Sequence, residues 1–161
     1  MRPLVLLVDE HEDTREMYAL ALSAMGFDIV AAEDGRDAYR RAWQIHPDAI
    51  VADLPMPNYE EWQFLQDLKQ NARTREIPLV VVSGYIHRSA DERTVHDGFD
   101  AFFPKPCLPD ELAAALRQIA FNGAHDQWRP ARAVDRAHEI ERAKLDPAHL
   151  RSRIHKRNGL H

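Results

Sequence analysis

Asp9 and Glu10, Asp53, Ser83 and Lys105 lie far apart in this 161-residue chain, yet together they make a set with one coherent chemistry. Three carboxylates brought within a few ångströms cannot all stay ionised without a cation. Mg²⁺ suits them, because it is a hard ion that takes carboxylate and carbonyl oxygens and keeps several waters. A carboxylate can also act as a nucleophile toward phosphorus and form an acyl phosphate. The metal and a nearby ammonium would then neutralise charge on the transferring group. Lys105 supplies that ammonium, and the Ser83 hydroxyl can donate to a phosphoryl oxygen. Brought together, these groups are complete for phosphoryl transfer to Asp53.

Short apolar runs precede each of them. Leu4-Val5-Leu6-Leu7-Val8 is continuous, as a strand buried on both faces of a parallel sheet reads, and it stops at Asp9-Glu10. Phe27-Asp28-Ile29-Val30-Ala31 alternates like a strand nearer an edge. Ala49-Ile50-Val51-Ala52 ends at Asp53, Pro78-Leu79-Val80-Val81-Val82 ends at Ser83-Gly84, and Phe99–Phe103 leads to Lys105-Pro106. Helices are expected between them. The first presents Met17, Leu20, Ala21 and Ala24 and closes at Gly26. The second follows Asp34-Gly35, presents Ala38, Ala42 and Ile45, and breaks at His46-Pro47. The third covers 59–71 with Trp62, Leu65 and Leu68 inward, and a polar fourth covers about 88–97. The fifth starts near Pro109-Asp110-Glu111, its acids favoured in the first turn by the macrodipole, and presents Leu112, Ala115, Leu116 and Ile119.

Strands alternating with helices imply parallel pairing with right-handed crossovers. Such sheets bind ligands beyond the C-terminal ends of their strands. In a flavodoxin-like, doubly wound five-stranded sheet of order 2-1-3-4-5, the ends of strands one, three, four and five are neighbours, so the five side chains converge on one edge.

The acidic pair Asp9-Glu10, the stretch Asp53-Leu54-Pro55-Met56-Pro57, Ser83-Gly84 and Lys105-Pro106, in this order and spacing, resemble the receiver domain of two-component response regulators over residues 3 to about 120. The resemblance implies that Asp53 is the phosphoacceptor. It implies a Mg²⁺ site of Asp9, Glu10, Asp53 and the backbone carbonyl of Pro55, with Ser83 and Lys105 gripping the phosphoryl group. It places Phe102 where that family keeps a switch aromatic, which swings inward as Ser83 moves. Phe99, Phe102 and Phe103 read equally well as core.

Several residues depart from the family's pattern. Glu10 stands where Asp is usual, and its extra methylene moves the carboxylate outward. Asn58-Tyr59-Glu60-Glu61 lacks the acidic-Gly pair that usually precedes the third helix. Pro55 and Tyr85 occupy the positions that tune dephosphorylation in the family. Pro55 cannot position an attacking water and Tyr85 can shield the site, so slow autodephosphorylation is expected. His11 borders the acidic pocket but reads as solvent-facing, and the nine histidines show no metal-ligand spacing. Cys107 reads as a small core or loop residue.

A single cysteine supports neither a disulfide framework nor a cysteine zinc site, which fits a reducing, cytoplasmic setting. The first apolar run is too short for a signal peptide, and no stretch approaches the roughly 20 apolar residues of a membrane span. Residues 1–121 carry 12 Lys/Arg against 21 Asp/Glu, whereas 122–161 carry 9 against 5. This divides the chain into a phosphoacceptor domain over 1–121 and a basic, partly helical extension over 122–161. Forty residues with so little apolar surface cannot bury a core of their own. The basic end at 151–157 has no aromatic residue for base stacking, so nucleic acid is not favoured as a partner.

The expected function is that of a phosphorylation switch rather than an enzyme. Its partners would be a sensor histidine kinase or phosphotransfer protein and a downstream protein, with a homodimer also open. The alternatives are a pseudo-receiver acting as a constitutive interaction module, and a regulator contacting DNA through its basic tail. A nucleotide-binding domain lacks its glycine-rich phosphate cradle here. A phosphatase of the aspartyl-nucleophile type would need a second acid where Pro55 stands.

Overall fold

Runs buried on both faces pair in parallel, and the chain between them has to cross over as helix. The computed structural model describes residues 2–54, 61–84 and 100–122, without the side chains of 54, 61, 62 and 120–122. Its elements are β1 (Leu4–Val8), α1 (Glu12–Ala24), β2 (Asp28–Ala32), α2 (Gly35–Ile45) and β3 (Ala49–Leu54). They continue with α3 (Glu61–Gln70), β4 (Leu79–Ser83), β5 (Ala101–Pro104) and α4 (Pro109–Asn122), the helix expected as the fifth. All pairings are parallel and the sheet order is β2-β1-β3-β4-β5, the flavodoxin-like arrangement. Pro55, Tyr85, Phe99, the helix expected over 88–97 and the extension beyond Asn122 lie outside the described residues.

Local chemistry sets the helix limits. The Asp34 carboxylate caps α2 by accepting from the Asp37 N–H at 2.9 Å. His46 ends α2 in the left-handed region, at φ 51°. Gly26, at φ +100°, turns the chain out of α1 into β2, a conformation that a side chain would oppose.

The pleat sorts the strand residues. Val5, Leu7, Ala49, Val51, Val80 and Val82 face Tyr18 and Leu22 of α1 and Leu112, Ala113 and Leu116 of α4 in one core, with Ala101, Phe103 and Ile119 packed at its margin. The alternate residues Leu4, Leu6, Ile50, Ala52, Leu79 and Val81 are buried as well and point to the opposite face. Ala38, Ala42 and Ile45 of α2 are buried as expected.

Two helix faces differ from expectation. In α1 the buried residues are Arg15, Tyr18 and Leu22, while Met17 is 45% and Leu20 74% exposed. Both sets satisfy helical spacing. The rotation is decided by tertiary bonds that Arg15 and Tyr18 make and that Met17 and Leu20 cannot make. In α3 Phe64 and Leu68 are buried and Leu65 only partly so.

Candidate functional site

The same pleat builds the site. Two residues beyond Leu7, Val51 and Phe103 come Asp9, Asp53 and Lys105, so the alternation that sends the former toward α1 and α4 sends the latter to that side of the C-terminal sheet edge. Ladder bonds continue past the strands to hold them there. Asp9 N donates to Ala32 O at 3.2 Å, and Lys105 N donates to Ser83 O at 2.9 Å. Asp53 sits within β3, opposite Val82.

Lys105 Nζ donates to Asp53 Oδ2 at 2.8 Å, pairing residues from β3 and the β5–α4 loop. Both are largely shielded, with side-chain exposures of 30% for Lys105 and 11% for Asp53. Burial pushes the Asp53 carboxyl above the usual carboxylate range. The hydrogen bond and charge of Lys105 pull it back, while the neighbouring Asp9 charge pushes it further up.

Asp9 is 3% exposed. Its Oδ1 accepts the His11 N–H at 2.9 Å, and its backbone carbonyl accepts from Arg15 Nη1 at 2.8 Å. Asp9, His11 and Asp53 each offer a ligand atom, and these atoms lie within 4.8 Å of one another. Two buried or half-buried carboxylates with mutual repulsion are a donor set that a divalent cation fits, since it would relieve the charge that burial and proximity penalise.

Glu10, expected as a ligand, does not belong to that group. Its side chain is 38% exposed, with Oε1 3.8 Å from His11 Nδ1. Consecutive residues leaving a strand point to opposite sides, so Asp9 turns inward and Glu10 outward. His11 takes a place in the cluster that sequence reasoning had not given it. The signal available was its adjacency to the acidic pair.

Ser83 is buried at the end of β4, 5% exposed, and it opposes Leu54 and Pro104 across the sheet. Phe102 is half-buried opposite Val81 of β4, on the sheet face away from Phe103. The carbonyl of Pro55 and the side chain of Tyr85 lie outside the described residues.

Sequence reasoning also missed Tyr18. Its hydroxyl donates to the Cys107 carbonyl at 2.5 Å and so ties α1 to the loop that carries Lys105. Burial pushes this phenol up, and the charges of Cys107, Asp9 and Asp53 add to the effect. Tyr18→Phe removes the donor from a buried carbonyl. It is expected to destabilise the fold by about 1–3 kcal/mol, measured by urea unfolding. An unchanged midpoint would mean that the carbonyl is satisfied without Tyr18.

Comparison with known proteins agrees with this geometry. A family model described as the response regulator receiver domain matches residues 5–117. The phosphate regulon transcriptional regulatory protein PhoB of Klebsiella pneumoniae is 30% identical over 144 residues, covering 89% of this chain and 60% of that protein. The chain thus spans about 60% of the length of the first curated relatives it matches. Among solved structures, the chemotaxis response regulator CheY4 of Vibrio cholerae superposes with a TM-score of 0.67 at 23% identity, covering 74% of this chain and 99% of that one. The receiver domain of the sensor histidine kinase PA1611 from Pseudomonas aeruginosa PAO1, which has a magnesium ion coordinated in its active-site cleft, superposes with a TM-score of 0.68 at 20% identity. It covers 75% of this chain and 99% of that one. Likeness at these identities speaks for the fold alone. The family match, over residues 5–117 and so over every strand end at which Asp9, Asp53, Ser83 and Lys105 stand, shows that this protein belongs to the response regulator receiver domain family.

Proposed function

We propose that the chain is a phosphorylation-dependent switch of a two-component system, accepting a phosphoryl group on Asp53 from a histidine kinase or phosphotransfer protein. The observation that carries this reading is Lys105 Nζ on Asp53 Oδ2 at 2.8 Å, beside the buried Asp9 carboxylate. In the transfer, an Asp53 carboxylate oxygen forms the new P–O bond as the P–N bond of a donor phosphohistidine breaks, and the leaving imidazole takes up a proton. Lys105 helps keep Asp53 ionised before attack and remains within reach of the phosphoryl oxygens afterwards. Mg²⁺, when bound, neutralises charge on the transferring group, and Asp9 and Asp53 would hold it. The buried Ser83 hydroxyl and the half-buried Phe102 are the groups that would report the new charge to the surface, as a local electrostatic event biasing a two-state element. Output is by protein–protein contact. The acidic 1–121 segment carries the chemistry, and the basic 122–161 segment is a separate extension.

Incubation with acetyl phosphate, with and without Mg²⁺, read on a phosphate-affinity gel, tests this reading. A shifted band that requires Mg²⁺ is the expected result. No shift under either condition would leave a constitutive interaction module in its place. Pro55 and Tyr85 lead us to expect that the shifted band decays slowly. A phosphoryl half-life of seconds in the isolated protein would refute that.

A further inference from the structure

We infer that His11 is a third ligand in the cation pocket, adding an imidazole nitrogen that gives the site a preference for zinc-like first-row transition dications over Mg²⁺. This rests on the reading that Asp9 and Asp53 hold a divalent cation.

Three features of His11 point the same way. It stands at the N-cap of α1, where Ser, Thr, Asp or Asn would be favoured, and its side chain makes no capping bond there. The ring turns back toward the acids instead, with Nδ1 3.5 Å from Asp9 Oδ1 and 3.8 Å from Glu10 Oε1. One of its nitrogens lies within 4.8 Å of ligand atoms of both Asp9 and Asp53.

The surroundings suit ligation. Asp9 is oriented by the His11 N–H on its carboxylate and by Arg15 on its carbonyl, the kind of support that fixes a metal ligand. The His11 side chain is 65% exposed, so it can rotate onto an ion without disturbing the core. An imidazole and two carboxylates form a mixed N/O set. Zinc and its neighbours take imidazole readily, whereas Mg²⁺ gains nothing from it and is served by the carboxylates and water. His11 should therefore matter for one class of cation and be silent for the other.

The test uses the full chain, wild type and His11→Ala. Zn²⁺ affinity is measured by competition with a chromophoric chelator and Mg²⁺ affinity by calorimetry. Loss of the imidazole should weaken Zn²⁺ binding at least about tenfold, the low end of what losing even an outer-sphere partner costs a metal site. Mg²⁺ affinity should stay within about twofold, since its ligands are oxygens. Electron spin echo modulation of bound Cu²⁺, which takes imidazole as Zn²⁺ does, should show a coordinated imidazole nitrogen that disappears in His11→Ala. Equal Zn²⁺ affinity in the two proteins, or a nitrogen signal that survives the substitution, would overturn the inference and leave His11 as no more than a close neighbour of Asp9 and Glu10. Wild-type protein that binds neither Mg²⁺ nor Zn²⁺ would instead refute the underlying cation-pocket reading, and this inference with it.

Discussion

Asp53→Asn is expected to abolish phosphoryl uptake from acetyl phosphate and Mg²⁺, and at neutral pH to melt at a higher temperature than the wild type. The first effect is absolute because an amide offers phosphorus no comparable nucleophile. The second follows from the environment of the carboxylate. Burial raises the Asp53 carboxyl above its ordinary value of 3.8, and Asp9 adds to the rise against the opposing pull of Lys105. Between the unfolded and folded values the native chain binds more protons than the unfolded one, so stability falls as pH rises through that window, and the penalty persists above it. Asn removes the penalty while keeping the shape. Thermal melts from about pH 4 to about pH 8 should show the variant's advantage growing with pH and then levelling. Mg²⁺ at about a hundredfold excess over its Kd should stabilise the wild type by about 2.7 kcal/mol and the variant by less. A variant that is still labelled would place the acceptor elsewhere. A variant less stable than the wild type at neutral pH would mean that the Lys105 contact outweighs burial and Asp9 together.

Lys105→Met should slow phosphoprotein formation by about 10²–10³-fold, the effect of removing one preorganised donor from a site where negative charge develops. The methionine preserves the stem that passes through a partly shielded position, so the loss isolates the ammonium. Two effects act in the same direction. The phosphoryl oxygens lose their cationic partner, and the Asp53 carboxyl loses the hydrogen bond and charge that pull it down. Initial rates at fixed acetyl phosphate, read on the same gel, measure the sum. A rate within about threefold of wild type would reduce the 2.8 Å contact to an ion pair of the resting protein.

Most of the scaffold is legible in the amino-acid sequence. β1 runs over Leu4–Val8 as read from the sequence, and β2 and β4 each lie one residue later than expected. Apolar runs of four or five residues between helix-length segments leave few topologies, and the right-handed crossover rule leaves fewer. The strand period of two then carries Asp9, Asp53 and Lys105 to one sheet edge, so their convergence follows from counting. The face of α1 did not follow. Met17, Leu20, Ala21 and Ala24 make as regular a stripe as Arg15, Tyr18 and Leu22. Choosing between the two requires the Cys107 carbonyl and the Asp9 carbonyl, which reach α1 from other parts of the chain.

The elements, their order and the chemical types at the strand ends are written in the amino-acid sequence, because periodicity and residue identity are local properties. Packing of the folded chain sets the rest: Lys105 pairs with Asp53, Asp9 turns inward while Glu10 turns to His11, and His11 comes within reach of the buried Asp9 and the half-buried Asp53 carboxylates. Those outcomes depend on distances of a few ångströms between groups on different segments. Such distances are set by helix rotation and loop closure in the packed fold, on which spacing along the chain is silent.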